Sequence, residues 1–242
     1  MKALVYSATE ETEFRDEPEP VPQPGDALIR VDAVGICGSD MHAWHGHDPR
    51  RVPPLILGHE AAGIVLEGSE PGRRVVLNPL VTCGACGYCL TGRANLCAAR
   101  ELIGMRIPGA FAERVAIPER NLITLPQGMD PAEAALTEPC ATAWHALVLA
   151  ARASWRPIPE CRALVIGGGA VGLLGDLILR AWGAGAVRLA ETNPLRRQTA
   201  AAAGLDVVDP RATQIEPATV EIVLDAVGSV ATRAAAVAAV RP

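Results

Sequence analysis

The 242-residue chain is 50% apolar and carries a formal net charge of −5, enough for one large or two small domains with real cores. The mild acidity, with no basic block, argues against a nucleic-acid or membrane-surface role. No apolar run reaches bilayer length and the N-terminus lacks a signal-peptide pattern, so a cytoplasmic protein is expected.

In chain order, the first 130 residues read as β-rich. Short apolar runs such as Ala27–Val31, Gly63–Leu66, Arg74–Leu77, Phe111–Pro118 and Leu122–Pro126 are cut by Pro and Gly turns, the pattern of a barrel or sandwich. Within this region Gly35-Ile36-Cys37-Gly38-Ser39-Asp40-Met41-His42 packs a thiol, a hydroxyl, a carboxylate and an imidazole into six residues. Gly58-His59-Glu60 follows. Thiolate, imidazole and carboxylate are ligands zinc accepts, and a catalytic zinc keeps one position open. His45 and His47, beside Trp44 and Asp48, read as solvated loop residues.

Next comes Cys83-x2-Cys86-x2-Cys89-x7-Cys97 in a Gly-, Thr- and Asn-rich segment. Four thiolates form the closed shell of a structural zinc. An iron–sulfur ligand run also opens with paired two-residue gaps but closes on three residues and a proline, unlike the seven here. A nucleic-acid zinc ribbon would want basic residues, and the segment offers only Arg93, with Arg100 beyond it.

From Pro131 the texture becomes helical, over Pro131–Ala135 and Ala141–Arg152. Prolines 157 and 159 mark a boundary, giving domains 1–152 and 153–242. Strands at Ala163–Gly167, Val187–Glu191, Asp206–Val208 and Val220–Asp225 then alternate with helices at Val171–Trp182 and Pro194–Ala203, predicting βαβ units and a parallel sheet. Gly167-Gly168-Gly169-Ala170-Val171-Gly172 joins the first strand to its helix. Gly167, Gly169 and Gly172 fill the dinucleotide positions, Val171 lies in the same turn, and Glu191 ends the next strand where an acid grips a ribose 2′-hydroxyl.

Together these residues resemble the zinc-dependent medium-chain alcohol dehydrogenases, in particular the sorbitol- and threonine-dehydrogenase-like branch. The resemblance covers the whole chain. It implies a GroES-like β-barrel catalytic domain followed by a Rossmann domain, two zinc ions and NAD. It makes Cys37 and His59 catalytic-zinc ligands, Glu138 the third ligand with Cys140 its rival, and Glu60 a carboxylate near the metal. It makes Ser39 the acceptor of the alcohol proton and His42 its relay to solvent, and Asp40 is placed to orient a ligand. Cys83, Cys86, Cys89 and Cys97 would hold the structural zinc, and Arg196 would lie along the adenosine. His145 is expected to pack on the helix after Glu138.

The activity implied is hydride transfer between NAD(H) and a secondary alcohol, with polyols, vicinal diols or amino alcohols favoured and the full-length enzyme a dimer or tetramer. Two rivals stay open, a zinc-free quinone-reductase-like relative and a non-catalytic zinc-binding module. Only four strands fit after Ala163, against six in the complete dinucleotide fold. The chain is therefore expected to be a C-terminally shortened form that turns over poorly, with Val220–Asp225 as an apolar edge strand prone to aggregation.

Overall fold

A computed structural model describes residues 1–241. The chain forms two compact units, Met1–Glu138 and Pro139–Pro242. The first contains β1 (Lys2–Ala8), β2 (Glu11–Asp16), β3 (Asp26–Gly35), α1 (Gly38–Trp44), β4 (Leu55–Ile56), β5 (Glu60–Glu67), β6 (Arg74–Leu77), β7 (Leu80–Val81), α2 (Gly87–Leu90), β8 (Glu101–Leu102), β9 (Arg114–Pro118), β10 (Leu122–Thr124) and α3 (Pro131–Ala135). α4 (Thr137–Ala153) begins at its end.

A five-stranded antiparallel sheet in the order β10-β6-β5-β3-β9 is the frame of this unit. Alternation explains its core. Ala27 and Ile29 of β3, Val75 and Leu77 of β6, and Val115 and Ile117 of β9 each lie two residues apart. They therefore share a face and bury together, while their neighbours point away. A second sheet, β2-β1-β4, and the small β7-β8 pair complete the unit.

The second unit takes most of α4 and then β11 (Arg162–Ile166), α5 (Ala170–Ala181), β12 (Ala186–Ala190), α6 (Pro194–Ala202), β13 (Val207–Val208), β14 (Ile222–Asp225) and α7 (Val230–Ala239). Its sheet is parallel, in the order β13-β12-β11-β14. That is the 3-2-1-4 start of a doubly wound fold, with β14 beside β11. Both faces of β11 are covered. Ala163 and Val165 pack with Leu179 of α5 and with Ala143 and Leu147 of α4. Leu164 and Ile166 pack with Ala236 and Ala239 of α7 on the other side. Burial on both faces accounts for the unbroken apolar run Ala163–Ile166 of β11.

The boundary was expected at 152–153, but compactness divides the chain after Glu138. The physical reason is that α4 contributes Ala143 and Leu147 to the second unit's core. The β1–β2 hairpin and α7 have no counterpart among the elements the sequence predicts.

Candidate functional site

Strand pairing builds the first cluster. β3 and β5 run antiparallel with Gly35 opposite Glu60. The end of one strand thus lies beside the start of the other, so Cys37, just past β3, meets His59, just before β5. Ligand atoms of Cys37, His59 and Glu60 all lie within 4.8 Å of one another. Gly58 permits the approach: its φ is +89°, and a Cβ there would sit 2.5 Å from the Phe111 ring. Any side chain at 58 would push the ring and the histidine backbone apart.

Burial and charge make this pocket cation-seeking. His59 is 4% exposed, Asp40 2% and Glu60 6%. Asp40 Oδ2 accepts the Cys37 N–H at 3.0 Å, and its Oδ1 faces His59 Nδ1 at 3.4 Å. Neither of those two facing atoms has a well-aligned hydrogen bond. Burial by itself lowers the imidazole pKa, yet Asp40 and Cys37 together push it up to about 10. Burial, with Glu60 and Asp40 nearby, pushes the Glu138 carboxyl above its ordinary value, and His59 opposes this. A divalent ion would satisfy all these groups at once, so the donors fit a metal. Glu138, half-buried at the start of α4, stands outside the 4.8 Å group. Cys140 stands outside it too and falls in the second unit.

Ser39 and His42 lie on α1. Ser39 Oγ accepts from Arg51 Nη2 at 3.2 Å. Arg51 is 3% exposed, and it also donates to Asp48 Oδ2 at 2.5 Å and to the Gly104 carbonyl at 2.9 Å. Spacing carries no signal of this support, since nothing in Asp48-Pro49-Arg50-Arg51 marks a buried arginine. His42 is exposed. His45 is exposed too and contacts Glu10 at 3.2 Å. His145 lies on α4 but is exposed, so the packing role expected of it does not hold.

The cysteine lobe is compact. Sulfur separations are 3.9 Å for Cys83–Cys89, 3.5 Å for Cys86–Cys89 and 3.6 Å for Cys83–Cys97. Four sulfurs about 2.3 Å from a central zinc would stand about 3.8 Å apart along tetrahedral edges. The lobe fits one ion and is too tight to enclose a multi-iron cluster. Backbone N–H groups of Ala85 and Cys86, with the Cys97 and Cys86 thiols, pull the Cys83 pKa down to about 6.

In the second unit the glycine turn is shaped as the fingerprint requires. Gly167 has φ +98°, and a Cβ on Gly172 would lie 1.8 Å from the Gly167 carbonyl oxygen. A Cβ on Gly169 would meet nothing within 4 Å, so the turn leaves room where a pyrophosphate would approach. Val171 is half-buried against the core, and its N–H is among the first of α5, which lack intrahelical partners. Glu191 is buried. It accepts from Gly168 N–H at 2.6 Å and Asn193 N–H at 2.7 Å. Burial opposes its ionisation, but these donors and Arg196 hold its pKa below the usual range. Arg196 Nη1 lies 3.9 Å from the carboxylate.

Among the described residues no helix is long and apolar enough to cross a membrane. The family model described as alcohol dehydrogenase GroES-like domain matches residues 23–127. L-galactonate-5-dehydrogenase of Escherichia coli K12 is 35% identical over 223 residues, which are 89% of this chain and 64% of that protein. L-threonine 3-dehydrogenase of Sinorhizobium fredii is 36% identical over 221 residues, 86% of this chain and 62% of that one. The chain thus spans just under two thirds of the length of these curated relatives. A structure solved as a zinc-binding dehydrogenase of Sinorhizobium meliloti bound to NADP superposes with a TM-score of 0.89 at 33% identity, covering 99% of this chain and 73% of that one.

Proposed function

Because the chain belongs to the zinc-dependent medium-chain alcohol dehydrogenase family, we propose that it serves hydride transfer between NAD(H) and a secondary alcohol of the polyol, vicinal-diol or amino-alcohol class. One observation carries this reading: the Cys37–His59–Glu60 pocket and the Gly167–Gly172 cradle with Glu191 occur in a single chain. The names of the relatives, a sugar-acid and an amino-alcohol dehydrogenase, support the substrate class.

Two zinc ions belong to the proposal. Cys37, His59 and Glu138 would hold one, with Glu60 beside it, and the four lobe cysteines the other. When bound, the first zinc supplies a Lewis acid that lowers an alcohol pKa, and NAD supplies the hydride acceptor. The chain's own residues do the rest. Asp40 Oδ1 faces His59 Nδ1 at 3.4 Å, which would leave Nε2 for the metal. Arg51 fills one lone pair of Ser39 Oγ, so the second accepts the substrate hydroxyl proton and the serine hydrogen donates onward. His42, exposed on the same helix, passes the proton to solvent.

Gly167, Gly169, Val171 and Gly172 would cradle the pyrophosphate at the start of α5. Glu191 would bind the ribose 2′-hydroxyl and repel a 2′-phosphate, which favours NAD, with Arg196 along the adenosine. Assembly of the full-length enzyme as a dimer or tetramer belongs to the same proposal and is read by sedimentation. The testing experiment is metal analysis beside a nicotinamide fluorescence titration. Two zincs per chain and saturable NADH binding are expected. Zinc without NADH binding would favour a non-catalytic zinc module, and NADH binding without zinc a quinone-reductase-like relative.

A further inference from the structure

Three arginines crowd the end of β12, and two of them are held by hydrogen bonds. Arg196 is exposed beside Glu191. Arg197 Nη1 instead donates to the carbonyls of Glu191 at 3.0 Å and Thr192 at 2.7 Å. Arg211 Nη2 donates to the same Thr192 carbonyl at 2.6 Å. Asp209, just past β13, binds both. Its Oδ1 accepts from Arg211 Nε at 2.9 Å and from the Arg211 N–H at 3.0 Å. Its Oδ2 accepts from Arg211 Nη2 at 2.7 Å and lies 3.1 Å from Arg197 Nη1. The Asp209–Arg211 contact is the two-pronged fork that fixes a guanidinium most firmly.

We propose that Asp209 determines nucleotide specificity: by engaging Arg197 and Arg211 it withholds two guanidinium groups from the ribose 2′ position and keeps the site selective for a 2′-hydroxyl over a 2′-phosphate. The proposal rests on the dinucleotide reading above. Glu191 marks where the 2′-hydroxyl binds, and both arginines sit on the backbone of Glu191 and its neighbour. Three positive side chains face two negative ones here, a surplus of one positive charge that would welcome a phosphate if the arginines could turn to it. Glu191 by itself does not explain selectivity beside them. Asp209 acts through the arginines and does not touch the nucleotide.

The test is calorimetric binding of 5′-AMP and of adenosine 2′,5′-bisphosphate to the full chain. Wild type should prefer 5′-AMP. Asp209→Asn keeps the side-chain shape and an acceptor for the Arg211 N–H. It should leave 5′-AMP affinity unchanged and raise bisphosphate affinity about tenfold, the worth of one hydrogen bond to a charged group. Asp209→Ser should give the same gain, so the test does not depend on one variant folding. Adding Arg197→Met and Arg211→Met to Asp209→Asn should abolish it. If the gain survives that addition, loss of negative charge alone explains it, and the proposal falls. If 5′-AMP binds but neither Asp209 variant moves the ratio, the Asp209 inference falls alone. If wild type binds neither probe, the dinucleotide reading falls and takes this inference with it.

Discussion

The cysteine lobe and the Cys37–His59–Glu60 pocket offer cation chemistry from opposite arrangements. The lobe draws four sulfurs from a 15-residue segment around the short α2, with Cys83 exposed and only Cys97 fully buried. The pocket draws its donors from two strand ends 22 residues apart in sequence and buries His59 and Glu60. A lobe with so little apolar packing of its own would draw stability from a bound ion. The pocket stands on a sheet that is already cored, so an ion bound there would be free to serve chemistry.

Breaking a ligand in each place tests that contrast most directly. Cys97→Ser and Cys37→Ser should each lower zinc content from two ions per chain to one. Cys97→Ser should also cost several kcal/mol of stability, because structural zinc binds in small peptides with about 10–16 kcal/mol of apparent free energy. Cys37→Ser should keep the melting midpoint and lose turnover. Metal analysis beside calorimetric melting reads both, and equal destabilisation by the two would erase the distinction.

The pocket's own support is the next place to press. Arg51→Leu removes the donor to Ser39 and one of the two guanidinium partners of buried Asp48, leaving Arg50. Losing a hydrogen bond to a charged group that keeps a second partner costs about 1.5–3 kcal/mol, so chemical denaturation should show a loss of that size. A smaller effect is expected from Asp40→Asn, which weakens the hold on His59. Loss of such a supporting carboxylate lowers metal affinity by about 10–100-fold. A chelator competition should show this for one ion and leave the lobe's ion unmoved.

The same contrast explains what the sequence reveals. The lobe and the glycine turn are local, so their spacing is their geometry. β11 and β12 follow from strand–helix alternation for the same reason. Cys37 and His59 are recognisable as donors, but their meeting depends on the β3–β5 register, which spacing does not encode. The β1–β2 hairpin escapes because β2 has four charged residues in six and is largely exposed, without the apolar alternation that marks a half-buried strand. Arg51 escapes because nothing distinguishes a buried arginine from a solvated one until its partners are in place. The end of the first domain is hidden because α4 is one continuous helix whose Ala143 and Leu147 serve the later core.

The mildest test changes only pH. Cys83 is exposed, yet its thiol pKa is drawn down to about 6, chiefly by the Ala85 and Cys86 N–H groups. The thiolate is the nucleophile, and a lowered pKa means it prevails above pH 6 and is lost as pH falls through 6. In zinc-stripped protein, iodoacetamide should therefore label Cys83 quickly at pH 7, with a rate midpoint near pH 6. Cys86, whose pKa is raised, should label slowly at the same pH, and peptide mass spectrometry separates the two. Zinc should protect both. A Cys83 midpoint near the ordinary cysteine value of about 8.5 would mean that the backbone donors disperse when the ion leaves. In the pocket, by contrast, the positive charge is favoured by buried anions around His59, which stripping the metal does not remove. The lobe prepares its thiolate through main-chain geometry, and that geometry is what the labelling rate reports.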